Sequence, residues 1–226
     1  MNNRVASNER LPRPIVIAVD GPAASGKGTI ARAIAAQFQL PHMDTGALYR
    51  AAALNLWRWG GDPNSEFEAV RACEDIGSNL EDPELRSEPV SRIASKISAY
   101  PAVREALLER QKAFAAQPGG AVLDGRDIGT VIAPDATAKL FVTATEEVRA
   151  QRRVRELLAR GMPAHFDEVL CDLKARDARD TNRDSAPLAQ APGSIVLDTS
   201  NLSVEEAVAQ AIALVRSRLV RLEERN

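Results

Sequence analysis

Lysine is scarce in this chain, cysteine and histidine are nearly absent, and no apolar run is long. Only five of the 29 basic residues are lysine (27, 96, 112, 139 and 174), so the remaining 24 are arginine. Arginine grips phosphate through a planar fork that lysine lacks. A genome that favours arginine codons explains the ratio equally well, so position and not count must decide. The two cysteines, Cys73 and Cys171, lie far apart with no C-x-x-C spacing. Both fall in segments that read as helix, and they read as ordinary free thiols of a reducing compartment. His42 and His165 have no ligand cluster beside them. A histidine metal site is therefore not expected, and packing or surface roles are. No run approaches the ~18 apolar residues of a membrane span, so no membrane partner is expected. Residues 1–13 are polar and lack the apolar core of a signal peptide, which predicts a disordered tail. The net charge of −2 excludes a generic nucleic-acid binder. A soluble, cytoplasmic protein is expected.

What is present is a hydrophobic fraction of 45% in 226 residues, ample for a core. Ile15–Val19, Ala121–Leu123, Lys139–Val142 and Ser194–Leu197 read as buried strands, and Leu40–Met43 as a weaker one. Helical patterns lie between them. That alternation predicts an α/β fold with a parallel sheet covered on both faces. The last helix opens on a capping box, Ser203 with Glu206, and carries an apolar stripe at Val204, Ala207, Val208, Ala211, Ile212, Val215, Leu219 and Leu222. Two excursions interrupt the alternation. The first, from Gly46 to about Gln117, looks all-helical, with breaks at Gly60-Gly61-Asp62-Pro63 and Asp82-Pro83. The second, from about Ala150 to Pro187, breaks at Gly161-Met162-Pro163. Excursions of this size at an open α/β sheet usually carry the substrate site.

The chemistry concentrates in three places. Gly21-Pro-Ala23-Ala24-Ser25-Gly26-Lys27-Gly28-Thr29 follows the first strand and precedes a helix. Strand, glycine loop and helix form a phosphate cradle. Glycines permit close backbone approach, and the loop amides and helix N-terminus converge on an anion. Lys27 adds a mobile positive charge for the β- and γ-phosphates of a nucleoside triphosphate. Gly28 stands where the usual loop has Ser or Thr, and Thr29 follows it; this variant resembles the loop of nucleoside monophosphate kinases. The second place is Asp124-Gly-Arg126-Asp127-Ile-Gly-Thr130, after the strand Ala121–Leu123. An acid at that strand end can position Mg²⁺ or its waters, with no direct metal ligand assigned and Thr29 and Asp124 acting through water, and Arg126 can steady phosphate charge. The third is Lys174-Ala-Arg176-Asp177-Ala-Arg179-Asp180-Thr-Asn-Arg183. Steps of three and four predict one helical face with three arginine forks, a mobile lid beside the phosphate loop. A weaker stretch, Asp44-Thr45-Gly-Ala-Leu-Tyr-Arg50, offers Thr45 as a helix cap or, with Arg50, as part of an acceptor site.

Taken together, G-P-A-A-S-G-K-G-T, D-T-G-A-L-Y-R, Y-P-A-V-R-E-A-L-L-E-R-Q, D-G-R-D-I-G-T and R-D-A-R-D-T-N-R resemble the bacterial cytidylate kinases, from Ile15 to the last helix. Adenylate kinases share the first loop but usually carry a D-G-F-P-R type box. The resemblance implies a P-loop NTPase-type doubly wound parallel sheet of about five strands, with a helical monophosphate-binding region and a short helical lid. The implied single kinase domain, 14–226, has its core at about 14–44, 118–150 and 188–226, the monophosphate region at about 45–117 and the lid at about 151–187. The implied reaction moves the γ-phosphate of ATP, with Mg²⁺, to CMP or dCMP. By matching motifs, Ser95, Arg104 and Asp127 fall where the family holds cytosine, and Arg176 and Asp180 where it holds the sugar. Arg50, Arg126 and Arg183 fall where it holds phosphate. Arg152 or Arg153 is expected to reach the transferring group as the lid closes. A monomer is expected. The alternatives are a kinase of another small acceptor (UMP, AMP or shikimate) on the same scaffold, or a non-catalytic nucleotide-binding regulator. One departure stands out. Many bacterial members carry a sheet-containing insert in the monophosphate region, where this chain has only the short acidic connection Glu74 to Glu88.

Overall fold

The apolar runs become strands β1 (Ile15–Asp20), β2 (His42–Asp44), β3 (Gly120–Gly125), β4 (Ala138–Thr143) and β5 (Ile195–Asp198) of the computed structural model. It describes residues 14–77 and 80–223. The expected tail at 1–13 lies outside the described residues, as does the side chain of Leu222. The strands form one sheet in the order β2-β3-β1-β4-β5, every pair parallel. Strands β1 and β3 read as unbroken apolar runs because both of their faces are covered. Ile17, Ala18, Val19, Ala121, Val122 and Leu123 are all fully buried.

Side chains alternate across the sheet, which divides its core in two. On one face Ile17, Val19, Val122 and Leu140 pack against helices α1 (Lys27–Phe38) and α8 (Val204–Glu223). On the other, Ala18, Ala121 and Leu123 meet Ile128 and Ile132. The capping box of α8 forms in full: Glu206 N donates to Ser203 Oγ at 3.1 Å, and Ser203 N donates to the Glu206 carboxylate at 2.8 Å. The stripe behind it packs from Ala207 onward, whereas Val204 is 61% exposed and does not join it.

Between β2 and β3 the chain runs through α2 (Thr45–Arg58), α3 (Glu66–Arg71), a short 3₁₀ turn (Pro83–Arg86), α4 (Glu88–Ile97) and α5 (Pro101–Ala115). No described residue of this excursion is in a strand. It has a core of its own, built on Leu48, Leu54, Leu56, Ile97, Val103 and Leu107. The acidic connection is tied down by Arg58, which pairs with Asp82 at 2.6 Å and Glu84 at 2.8 Å. Cys73 sits in the turn after α3 and not in a helix; burial pushes its thiol up to about 11.

Between β4 and β5 stand α6 (Glu146–Ala159) and α7 (Phe166–Asn182). Their apolar anchorage is small: Ala150 and Leu173 bury against Ala23 of the glycine loop. Ion pairs hold the two helices together, Arg149 to Asp177 at 2.6 Å and Lys174 to Glu146 at 3.2 Å. No described helix is long and apolar enough to cross a membrane.

Candidate active site

Parallel pairing gathers the carboxyl ends of the strands at one edge, where open α/β sheets bind ligands. Asp20, Asp44 and Asp124 all arrive there, and Asp44 and Asp124 are register partners on β2 and β3. Above this edge opens a cleft of about 860 Å³, roofed by α7 and walled by α4 and α2.

The glycine loop forms the floor. A Cβ at Gly21 would sit 2.0 Å from the carbonyl oxygen of Val142, so only glycine lets the loop leave β1 against β4. Gly26 has φ +89°, the left-handed conformation that starts α1 without a side-chain cap. No side-chain cap therefore competes with an anion for the first amides of α1. The loop carbonyls face the other way and are taken. Arg149 donates to Ala23 O at 3.2 Å, and Thr199 Oγ1 donates to Ser25 O at 3.0 Å. Arg152 joins this rear support, donating to Thr199 O at 2.6 Å and Thr199 Oγ1 at 2.9 Å. Arg152 thus braces the loop and does not line the cleft. Arg153 does line it, paired with Glu88 of α4 and with Glu156.

The ammonium of Lys27 lies within 3.4 Å of Pro22 O. Burial pushes its pKa down to about 7; the charges of Arg126 and Arg176 act the same way, against Asp124 and Asp44. Beside it, Asp124 is 3% exposed. Its Oδ2 meets His42 Nε2 at 2.7 Å, and among the described residues Oδ1 accepts no hydrogen bond. Thr45 does not cap α2. It donates from Oγ1 to Asp124 O at 2.9 Å, tying α2 to β3. Asp44 pairs with Arg50 at 2.7 Å. Burial would raise the Asp44 carboxyl, but Arg50, then Lys27 and His42, outweigh it and hold the group below its ordinary value.

Across the cleft stand Arg126, Arg176, Asp180 and Arg183. Arg126 Nε pairs with Asp180 at 2.9 Å. Arg183 lies one residue beyond α7, in extended backbone. The three forks of the lid therefore do not share one helical face: Arg176 and Arg179 lie on α7, and Arg183 turns back to within 3.8 Å of both Asp127 and Asp180. Burial, aided by Arg126, pushes Arg176 down to about 10. Arg50 Nε, Arg176 Nε and one terminal nitrogen of Arg183 are sealed from solvent without a hydrogen-bond partner among the described residues. Buried donors left unpaired are rare and costly, and here they belong to three arginines lining one cleft.

The end of the cleft beside α4 and α5 is polar in a different way. Arg104, 8% exposed, pairs with Asp127 at 2.5 Å and lies 5.6 Å from the centroid of the Tyr49 ring. Ser95 Oγ accepts from Arg179 at 3.1 Å. Asp127 opens a single wide helical turn in which Ile132 N bonds back to Asp127 O and Ala133 N to Ile128 O. Asp20 anchors that turn from below, accepting from Ile128 N and Gly129 N at 2.8 Å each. Burial pushes Asp20 up to about 6 despite those two amides, with the Asp127 charge adding to the rise.

The family model for cytidylate kinase matches residues 17–217. The chain belongs to the cytidylate kinase family. A cytidylate kinase of Rhodopseudomonas palustris strain HaA2 is 51% identical over 204 residues, which cover 90% of this chain and 96% of that one. A cytidylate kinase of Xanthobacter autotrophicus is 53% identical over 205 residues, 90% of this chain and 98% of the relative. Among solved structures, a gluconokinase from Sinorhizobium meliloti 1021 superimposes with a TM-score of 0.56 at 16% identity, covering 96% of this chain and 99% of that one. At that identity the likeness concerns the phosphate-loop kinase fold alone.

Within this family member the cleft brings together nearly every residue expected from the sequence: Ala23, Ala24, Gly26, Lys27, Gly28 and Thr29 of the loop, and Thr45, Arg50, Ser95, Arg104, Asp124, Arg126, Asp127, Arg176, Asp180, Arg183 and Arg153. Gly21 and Ser25 shape the loop from behind, as Arg152 does. Four residues escaped the sequence reading: His42, expected in packing or at the surface, together with Asp20, Tyr49 and Arg149. Strand alternation held a signal for the first, since His42 and Asp44 share a face of β2.

Proposed function

We propose that the enzyme transfers the γ-phosphoryl group of ATP to CMP or dCMP, giving ADP and the corresponding diphosphate. The observation that carries this reading is the trio of arginines whose sealed nitrogens lack a hydrogen-bond partner among the described residues, around one cleft floored by a phosphate loop. Such a cleft is built for two polyanions. The loop amides and Lys27 take the ATP phosphates, with Gly21 to Thr29 as the cradle. Arg50, Arg126 and Arg183 take the acceptor phosphate, Arg176 and Asp180 the sugar, and Ser95, Arg104 and Asp127 the cytosine. Phosphoryl transfer needs in-line positioning and dispersal of charge more than covalent help. Arg126 and Arg183 hold the acceptor oxygen in line, Lys27 draws charge toward the donor side, and Arg153 stands on the lid side of the junction. We assign no general base.

Residues present suit Mg²⁺. No group of three or more histidines, cysteines or acids among the described residues could cage a metal. Mg²⁺ is instead usually held by one or two carboxylates, water and substrate phosphates. Asp124 offers an oxygen that accepts no hydrogen bond among the described residues. A Cβ built at Gly28 would lie only 3.8 and 3.9 Å from its two carboxylate oxygens, so glycine leaves that space open. Asp124 and Thr29 would hold the ion through water. Held there, the ion would neutralise charge on the ATP phosphates.

We divide the kinase domain, 14–226, into a core at about 14–44, 118–150 and 188–226, a monophosphate region at about 45–117, and a lid at about 151–187. The lid boundary falls inside α6, so the C-terminal part of that helix and α7 would move together. A monomer in the cytoplasm fits this role. For UMP, AMP or shikimate as the preferred acceptor, or for a non-catalytic regulator, no observation speaks. A coupled assay across CMP, dCMP, UMP, AMP and shikimate tests the reading; equal or better turnover of AMP or shikimate overturns it.

Base discrimination gives a sharper test. The cytosine amino group can donate to Asp127, where uracil presents a carbonyl. Two opposed acceptors in a dry site cost about 1–3 kcal/mol, roughly a ten- to hundredfold preference for CMP over UMP in kcat/KM. Asp127→Asn is expected to narrow that gap, because an amide can turn a donor toward uracil. Comparable CMP and UMP efficiencies in the native enzyme would remove Asp127 from the base site.

Lid contacts lead to another expectation. The lid reaches the monophosphate region through Arg153 to Glu88, Arg92 to Asp172 at 2.9 Å, and Arg160 to Arg86 O at 3.3 Å. Those links are polar and mostly exposed, hence weak in salt water. Without nucleotides the clustered arginines repel. Hydrogen exchange over 151–187 is expected to slow most with a bisubstrate analogue, less with either nucleotide alone. Equal protection in the free enzyme would make the lid a static helix pair.

A further inference from the structure

His42 contacts Asp124 at the acidic edge of the cleft, and no role for it follows from the motifs. It sits on β2, the outermost strand on its side of the sheet, in register with Val122 of β3. Parallel pairing carries its side chain along the sheet to Asp124, 82 residues away in sequence. The contact is short, 2.7 Å, and both partners are largely sealed, with side chains 17% and 5% exposed. A carboxylate can only accept, so the ring nitrogen facing it carries the proton. That donor occupies Oδ2 and fixes the rotation of the carboxylate about its last bond. Among the described residues Oδ1 is left without a hydrogen-bond partner, and both carboxylate oxygens border the open space at Gly28, 3.8 and 3.9 Å from where its Cβ would stand.

We infer that His42 is a positioning residue for metal-linked nucleotide binding: it clamps Asp124 so that one carboxylate oxygen faces the Mg²⁺ that accompanies ATP. The inference rests on the reading of Asp124 given above. Its physical basis is general. A ligand carboxylate that can spin spreads its charge over several orientations, and outer partners that stop the rotation commonly govern metal affinity about 10- to 100-fold. The alternative role for a half-buried histidine, filling space between β2 and β3, predicts no metal dependence. The backbone bond from Val122 N to Pro41 O, 2.9 Å, and the β2–β3 ladder already hold the strand without the ring.

Calorimetry of ATP binding with Mg²⁺ and with EDTA separates these roles, using His42→Ala, His42→Gln and Asp124→Asn. His42→Ala is expected to cut the Mg²⁺-dependent gain in ATP affinity about tenfold and to leave affinity in EDTA within about twofold. His42→Gln keeps an amide donor of similar reach and is expected to recover most of the gain. Native protein provides a readout that needs no variant: the His42 ring nitrogens should show a protonated Nε2 by NMR and shift with Mg²⁺ and ATP together but not with ATP alone. Equal losses with and without Mg²⁺ in His42→Ala, or a ring signal blind to Mg²⁺, would overturn the inference. Asp124→Asn guards the premise. If it keeps the full Mg²⁺ gain, the reading of Asp124 fails; if it loses the gain while both His42 variants retain it, only the clamp fails.

Discussion

Lys27→Ala is expected to lower CMP phosphorylation at least ~10²-fold, the scale of one lost charge stabiliser in a preorganised site, while thermal unfolding stays cooperative and near the native midpoint. The fold should tolerate the change because Lys27 is no structural keystone. Its one described hydrogen bond, to Pro22 O, is long at 3.4 Å, and it stands among like charges from Arg126 and Arg176. Near-native turnover by a folded Lys27→Ala enzyme would remove the donor-site assignment. The same residue links ATP binding to pH. In the free enzyme its pKa is pushed down to about 7, chiefly by burial. Bound phosphates favour the ammonium and raise that value. The gain in binding is therefore fully present below about pH 7 and is lost as pH rises through the higher value in the complex. At pH 8 the nucleotide's own phosphates are already ionised, with a second pKa of about 6. Calorimetry there, in buffers of different ionisation enthalpy, should report proton uptake on ATP binding. Uptake should vanish in Lys27→Ala; buffer-independent heats in the native enzyme would contradict the assignment.

Arg126→Ala is expected to reduce kcat/KM for CMP about 10²- to 10³-fold, as removal of one preorganised donor does elsewhere, with ATP affinity changed only a few-fold. Two losses combine. The acceptor phosphate forfeits a fork already held in place by Asp180 at 2.9 Å and by Gly125 O at 3.2 Å. Asp180, 4% exposed, forfeits its nearest partner and is left with Arg183 at 3.8 Å and the charges of Arg176 and Arg104. Three guanidinium charges are what hold the Asp180 carboxyl below its ordinary value against the effect of burial. Arg126→Lys should recover little, because a point charge cannot bond Asp180 and phosphate together. Loss of ATP affinity with CMP affinity intact would reverse the two ends of the cleft.

The sequence by itself determined whatever depends on neighbours along the chain. Apolar runs without alternation marked strands buried on both faces. Gly21 and Gly26 marked the phosphate loop, Ser203 with Glu206 marked the start of the last helix, and the two charged boxes marked the cleft. Each signal is local, set by backbone sterics, side-chain period or capping over a few residues. Only the tertiary structure decided the pairings. Asp20 reaches Ile128 and Gly129 across 108 and 109 positions, His42 reaches Asp124 across 82, and Ser95 meets Arg179 across 84. The order β2-β3-β1-β4-β5 brings those residues to one edge, and no periodicity encodes that order. The division of labour among arginines was equally hidden. Arg152 and Arg153 are adjacent in sequence, but neighbouring residues of a helix point about 100° apart. One therefore turns behind the loop to Thr199, and the other faces the cleft with Glu88. Arg183 continues the spacing of Arg176 and Arg179, but α7 ends at Asn182 and the chain turns. Charge of one sign crowded into a strand-edge crevice sorts itself by which acid and which carbonyl each fork can reach, and that depends on how the sheet and the two helical excursions close around it.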